Sequence, residues 1–219
     1  MKKVFYSWQS DSPSSTNRAF IEKALKKAIT AITSDEVVAV TPEIDQATRG
    51  TPGSPDIAGT ILQKIDDCWA FVCDVSIVGQ TSAAKGTPNP NVLFELGYAL
   101  RAHGDSRIIM VQNVAEEGPE ELPFDLRKRR VLTYRQPSDR SRQVERDALA
   151  KALARALRSI LESAEKTAAE QHDRIRRIED EIRDLGNWAN QAATMKAVEG
   201  LRRLNREGVS EIRLHRTYL

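Results

Sequence analysis

Apolar positions along the chain fall into short runs separated by stretches of helical spacing. Lys3 to Trp8 is a first strand, rich in Val, Phe and Tyr, and Ser10-Asp11-Ser12-Pro13 punctuates it. From about Ser15 to Thr33 the apolar residues Phe20, Ile21, Ala24, Leu25, Ala28, Ile29 and Ile32 recur at three and four, which predicts a helix. Glu36 to Val40 is a second strand, and a polar, Gly/Pro-rich loop follows from Pro42 to Gly53. Ser54-Pro55-Asp56 combines a capping hydroxyl, a proline at the first helical position and an acid in the first turn. Ile57, Ile61, Leu62 and Ile65 form the apolar face of the helix it starts.

Trp69 to Val75 is a nearly continuous apolar run, the mark of a central parallel strand covered on both faces. A loop of small polar residues, Gly79 to Thr87, leads to a helix from about Asn89 to His103. Arg107 to Gln112 and Arg130 to Tyr134 are a fourth and a fifth strand. Alternating strands and helices predict an α/β fold: a flavodoxin-like, doubly wound parallel sheet of about five strands over residues 1–137.

From about Ser138 the pattern changes, and 138–219 is expected to be a helical extension. Leu157, Leu161, Ala164, Ala168, Gln171, Ile175, Ile178, Ile182 and Leu185 are spaced by four and three, a heptad-like seam with one polar interruption. Leu149, Leu153 and Ile160 are expected to pack on the sheet. The remainder is either an antiparallel hairpin closing through Val198, Leu201 and Leu204 or a helix for self-association or a partner. Glu211-Ile212-Arg213-Leu214 is a candidate terminal strand.

Composition narrows the class. The 219 residues are 40% hydrophobic and 29% charged, enough for a core and too polar for a membrane protein, and the formal charge is only +2. No apolar run reaches the length of a bilayer span, and Val4-Phe5-Tyr6 is too short for the core of a signal peptide, so a cytoplasmic location is expected. Cys68 and Cys73 are expected as small buried residues. Arg127-Lys128-Arg129-Arg130 is the one basic run, but acids flank it and no aromatics interleave, which speaks against a nucleic-acid partner. His103, His172 and His215 lack ligand spacing, so no metal site is expected.

Ligands of doubly wound sheets bind beyond the carboxyl ends of the strands. That rule picks out Ser7, Trp8, Gln9 and Asp11 after strand one, Asp45 after strand two and Asp74 after strand three. Trp8 either stacks on a ligand ring or packs as core. Asp74 either accepts from a ligand hydroxyl or caps the next turn, and Asp45 rests on position alone. No Gly-x-Gly-x-x-Gly loop follows strand one and no P-loop occurs, so ordinary Rossmann dinucleotide binding is disfavoured. The segment Pro88-Asn89-Pro90-Asn91-Val92-Leu93-Phe94-Glu95-Leu96-Gly97-Tyr98-Ala99 is more telling. Its prolines rigidify a helix start that Asn89 or Asn91 caps. Asn91 and Glu95 share a face, and Glu95 stands between Phe94 and Leu96 near the helix N-terminus, which favours its ionised form. A solvated helix carboxylate is the alternative reading of Glu95.

Ser7-Trp8-Gln9-Ser10-Asp11, Gly53-Ser54-Pro55-Asp56-Ile57, Phe71-Val72-Cys73-Asp74-Val75 and the Pro88–Ala99 segment together resemble the bacterial TIR-like proteins, predicted nucleotide-binding domains of antiphage defence systems. The resemblance covers roughly Lys3 to Tyr134. The last motif also looks like the segment that bears the nucleophilic glutamate of nucleoside 2-deoxyribosyltransferases. The resemblance implies cleavage of the nicotinamide–ribose bond of NAD, with Glu95 as the catalytic glutamate and NAD as substrate rather than bound cofactor. Ser7, Trp8, Gln9, Asp11, Asp45, Asp74 and Asn91 are the candidate substrate contacts. It further implies activity that switches on by self-association, through the TIR-like domain or the C-terminal helices. A non-catalytic nucleotide-binding module and a deoxyribosyltransferase are the competing readings.

Overall fold

The computed structural model describes residues 2–34, 43–45, 56–81, 85–137 and 143–206. Five strands, β1 (Lys3–Ser7), β2 (Glu43–Asp45), β3 (Ala70–Asp74), β6 (Ile108–Asn113) and β7 (Val131–Tyr134), form one parallel sheet in the order β2-β1-β3-β6-β7. A two-stranded antiparallel hairpin, β4 (Ile77–Gln80) and β5 (Gly86–Pro88), stands apart from it. The helices are α1 (Arg18–Thr33), α2 (Ile57–Asp66), α3 (Pro90–His103), the single-turn α4 (Phe124–Arg127) and α5 (Gln143–Arg206). This strand order is that of the flavodoxin-like fold, with its switch point between β1 and β3.

Side chains on successive strand residues point to opposite faces, and both faces are buried. Val4, Tyr6, Val72 and Val111 pack with the α1 residues Phe20, Ile21 and Leu25 and with Leu149, Leu153 and Leu157 of α5. Phe5, Phe71, Cys73 and Met110 pack with Ile65 of α2 and with Val92, Leu96 and Ala99 of α3. Both cysteines are free and buried. Among the described residues no helix is long and apolar enough to cross a membrane.

Several boundaries differ from expectation. The strand read at Glu36–Val40 lies outside the described residues. The strand that pairs with β1 is Glu43–Asp45, in a segment read as loop. It is a three-residue edge strand with only Ile44 apolar, so it carries no periodic signal. The expected Gly79–Thr87 loop contains the β4–β5 hairpin. Gly86 is required there, since a Cβ would come within 2.8 Å of the Glu121 carbonyl oxygen and closer still to Ile77. Helix α1 starts at Arg18, three residues later than Ser15, and the side chain of Asn17 at its N-cap position does not cap it. Ser54 and Pro55 lie outside the described residues, whereas Asp56 caps α2, its carboxylate accepting from the Ala58 N–H at 3.1 Å.

The chain divides into two compact units, Met1–Ala164 and Glu165–Leu219. In the first, Leu149, Leu153, Leu157 and Ile160 of α5 are buried, as expected of a last sheet-packing helix. In the second, the described residues to Arg206 are one helix, so of the two readings the antiparallel hairpin through Val198, Leu201 and Leu204 does not form among them. Gly186 and Gly200 are not enough to break it. An interior glycine costs only about 1 kcal/mol, and no proline lies near either one. The candidate strand at Glu211–Leu214 lies outside the described residues.

Candidate active site

The first strand ends at Ser7, beside the switch point, and α3 begins at the same edge of the sheet. Asn89 turns the chain into α3. Its side-chain oxygen accepts from the N–H groups of Asn91 at 2.8 Å and Val92 at 3.3 Å, and Pro90 occupies the first helical position. The cap is therefore Asn89, which leaves the Asn91 side chain free of a capping role. The Asn89 Nδ2 amide also donates to the carboxylate of Asp11. One residue thus starts the helix and ties it to the β1–α1 loop. We expect Asn89→Ala to cost about 1–2 kcal/mol in urea unfolding, the usual worth of a lost cap. Asp11→Ala, which spares the cap, is expected to cost less.

Between loop and helix lies a cavity of about 190 Å³, lined by Ser7, Trp8, Gln9, Asn89, Asn91 and Glu95, with Ser10 and the β1 backbone behind them. Five of the residues expected from the sequence therefore meet in one place: Ser7, Trp8, Gln9, Asn91 and Glu95. Glu95 is partly buried on the second turn of α3. The helix N-terminus was expected to hold it ionised. Burial has the larger effect and raises its pKa above the ordinary glutamate value, with the Ser7 hydroxyl opposing the rise. That hydroxyl is itself buried and meets no partner at normal hydrogen-bond geometry. A buried hydroxyl left over beside a partly desolvated carboxylate is a built-in binding capacity for a polar ligand.

The other residues divide by what they touch. Gln9 is occupied by its own loop: Oε1 accepts from the N–H groups of Asp11 at 2.8 Å and Ser12 at 3.0 Å, and Nε2 donates to the Ser12 hydroxyl at 2.9 Å. It shapes the wall of the cavity. The Arg18 guanidinium covers one face of the Trp8 ring, 3.5 Å from its centroid, so at most one face remains for a ligand. Asp11 does not line this cavity; it accepts from Asn89 and faces a second cavity along the same edge.

Asp74 and Asp45 do not line the cavity. Asp74 is fully buried and accepts from the Ser76 N–H (3.0 Å), the Ser76 hydroxyl (2.6 Å) and the Asn17 amide (3.0 Å). Burial raises its pKa and these bonds oppose the rise. The same network reaches Asn113, whose N–H donates to the Ser76 hydroxyl, and Gln136, whose N–H donates to the Asn113 side-chain oxygen. Asp45 lies on the edge strand, in ion pairs with Lys64 at 2.7 Å and Lys3 at 3.9 Å. Sequence reading missed Asn17, which it placed inside a helix. It also missed Arg18, whose stacking on Trp8 has no local signature.

A second, polar cavity of about 450 Å³ opens along the same edge between Asn17, Ser76, Gln80, Asn113, Glu117 and Gln136. A third, about 410 Å³, includes Ile108, Leu132, Ile160 and the basic run Lys128–Arg130, at the opposite end of β6 and β7. There Arg129 is paired with Asp105, and the cavity holds no nucleophile beside a perturbed acid. Size alone would favour either of these two. Chemistry favours the smallest, the only one of the three to contain Glu95. No grouping of three or more metal-ligating side chains occurs among the described residues.

No protein-family model matches the chain, and no curated protein matches it in sequence. Solved structures do. A 2-deoxyribosyltransferase from Leishmania mexicana aligns with 52% of this chain and 67% of its own, at 18% identity and a TM-score of 0.33. A flavodoxin-like domain from Synechococcus sp. aligns with 70% of this chain and 97% of its own, at 11% identity and a TM-score of 0.40. A diflavin flavoprotein A3 from Nostoc sp. aligns with 74% and 96%, at 14% identity and a TM-score of 0.39. The class, an α/β protein of flavodoxin-like topology, is given by the strand order β2-β1-β3-β6-β7 and not by these matches.

Proposed function

We propose that the chain cleaves the bond between nicotinamide and ribose in NAD, by hydrolysis or cyclisation, with Glu95 as the catalytic residue. The observation that carries this reading is the Glu95 carboxylate beside the unpartnered Ser7 hydroxyl, in a cavity at the switch point of the sheet. Burial makes the ionised carboxylate poorly hydrated, and such an anion gains most from a cation placed against it. The nicotinamide ribosyl unit is cationic. As its C1′–N bond breaks, the electron pair goes to the ring and nicotinamide leaves neutral, so no proton donor is needed. Glu95 then stabilises the oxocarbenium-like carbon or bonds to it transiently, until water or another nucleophile of the substrate takes its place. The logic is that of the nucleophile carboxylate of glycosidases without their second carboxylic acid.

The cavity suits one base-plus-ribose half rather than a whole dinucleotide, whose pockets run to roughly 300 Å³ and more. The Ser7 hydroxyl is placed to donate to Glu95 or to a ribose hydroxyl. Ser7→Ala is expected to leave the unfolding midpoint little changed, since the hydroxyl makes no bond of normal geometry in the free protein and acts on Glu95 only weakly. The same change should lower kcat/KM about tenfold, the worth of one ordinary hydrogen bond.

Motif resemblance places this activity in bacterial antiphage defence, as a cytoplasmic effector that acts on NAD when copies assemble. A second reading is a nucleotide-binding module without chemistry. A deoxyribosyltransferase ranks third, since a neutral nucleoside gains less from a lone carboxylate. Concentrated protein incubated with NAD and assayed for free nicotinamide, beside Glu95→Ala, separates them. Release that disappears in the variant supports cleavage. NAD binding without release in any assembled state supports the binding module, and turnover of deoxynucleosides alone supports the transferase.

A further inference from the structure

The second compact unit carries an apolar stripe that stands exposed among the described residues. Ile175, Ile178, Ile182, Leu185 and Trp188 are 47–69% exposed, and further apolar residues continue the exposure to Leu204. At 1.5 Å per residue the stripe from Ile175 to Leu204 is about 44 Å long, far beyond the scattered apolar residues of an ordinary monomer surface.

Its period identifies what covers it. With Ala168, Ile175, Ile182 and Ala189 at a, and Gln171, Ile178, Leu185 and Ala192 at d, the seam repeats every seven residues, which only another helix in a left-handed supercoil can follow. The charges on the same helix are sorted by position. Lys166–Glu170, Asp173–Arg177 and Asp180–Arg183 pair within the helix, and all six lie at b, c and f, away from the seam. Arg174 at g and Glu179 at e flank the seam, and neither forms an ion pair among the described residues. In a parallel, in-register pair, g of one helix faces e of the next heptad of the other, five residues on. Arg174 of each copy then meets Glu179 of the other, twice by symmetry. Gln171 adds a constraint. In that register it meets its own copy and the two amides can bond across the seam. In the antiparallel register that sets Ala168 against Leu185 it faces Ile182, and in the one that sets Ala168 against Ala192 it faces Ala189, and either leaves a polar group against an apolar one.

We propose that residues 168–192 of two copies of this chain pair as a parallel, in-register two-stranded coiled coil. The occupant is a second copy because the complementary charges and the self-matching polar layer are both present on one strand. This inference uses no residue of the Glu95 cavity and stands or falls separately from the reaction.

The full chain tests it. Light scattering at about 100 µM, a concentration at which a pair with micromolar affinity is mostly assembled, is expected to give the mass of two 24.5 kDa chains. Ile178→Lys is expected to reduce this to one chain with the unfolding midpoint of the sheet domain unchanged. Leu185→Cys is expected to cross-link to itself on mild oxidation, the two native thiols being buried. Arg174→Glu should weaken pairing about three- to tenfold, the scale of two reversed surface ion pairs, and adding Glu179→Arg should restore it. A monomeric wild type, or a dimer that survives Ile178→Lys, overturns the proposal. Cross-linking of Leu185→Cys only with Ala168→Cys in a mixed sample overturns the parallel register.

Discussion

If the proposed reaction holds, Glu95→Gln is expected to lower release of nicotinamide from NAD by at least about 10³-fold in kcat/KM, or ~4 kcal/mol of transition-state stabilisation. The substitution keeps the shape of the side chain and its contact with Ser7 while removing the negative charge, so a loss of this size assigns the charge and not the packing. Stability is expected to move the other way. Burial raises the pKa of the folded carboxyl above its unfolded value, so the ionised form weighs against the fold. That cost is absent below the unfolded value, near pH 4, and grows as pH rises through the folded one. Near neutral pH, Glu95→Gln should therefore melt higher than the wild type, and the gap should close in acid. In the wild type, kcat/KM should fall with acidity on a limb centred above the ordinary glutamate pKa. Scanning calorimetry and a rate profile across pH check both. A variant that is inactive and also less stable would point to a structural role for Glu95.

Asp74→Ala gives the largest expected loss of stability, about 3 kcal/mol, or roughly 6–12 °C in the unfolding midpoint for a domain of this size. Removing the carboxylate relieves the cost of a buried charge, but it strands the Ser76 N–H and hydroxyl and leaves the Asn17 amide only its bond to Ser76. Each stranded donor costs about 1–3 kcal/mol. Asp74→Asn is not conservative here. Its oxygen can keep the two Ser76 bonds, but its NH2 then faces the NH2 of Asn17, donor against donor, so it should recover only part of the loss. Thermal melts of the three proteins order them wild type, Asn, Ala.

The long elements were legible and the short ones were not. The heptad of apolar positions in α1 and the unbroken Trp69–Val75 run announce themselves because burial on a face repeats over many residues. The edge strand Glu43–Asp45 has one apolar residue in three, and the β4–β5 hairpin is held by a glycine and a proline instead of a pattern. Within the site, Glu95, Ser7 and Asn91 were readable because helix spacing and the switch-point rule are local or topological. For Asp74 the sequence left two readings, a ligand contact or a cap of the next turn, and its bonds to Ser76 are the cap. Its third bond, to Asn17, has no local signal because that partner lies 57 residues away. The raised pKa of Glu95 was also hidden, since local reasoning sees the helix end and not the depth of burial.

Because the Asn17 amide is engaged with Asp74 and Ser76, the first turn of α1 has no side-chain cap and is held from across the sheet. The next residue, Arg18, is the one that lies over Trp8 at the cavity wall. The Tyr134 hydroxyl on the Thr16 carbonyl and the Tyr6 hydroxyl on the Arg18 carbonyl hold the same turn. Amide exchange at the start of α1 is therefore expected to report loosening of the cavity wall before the sheet itself gives way.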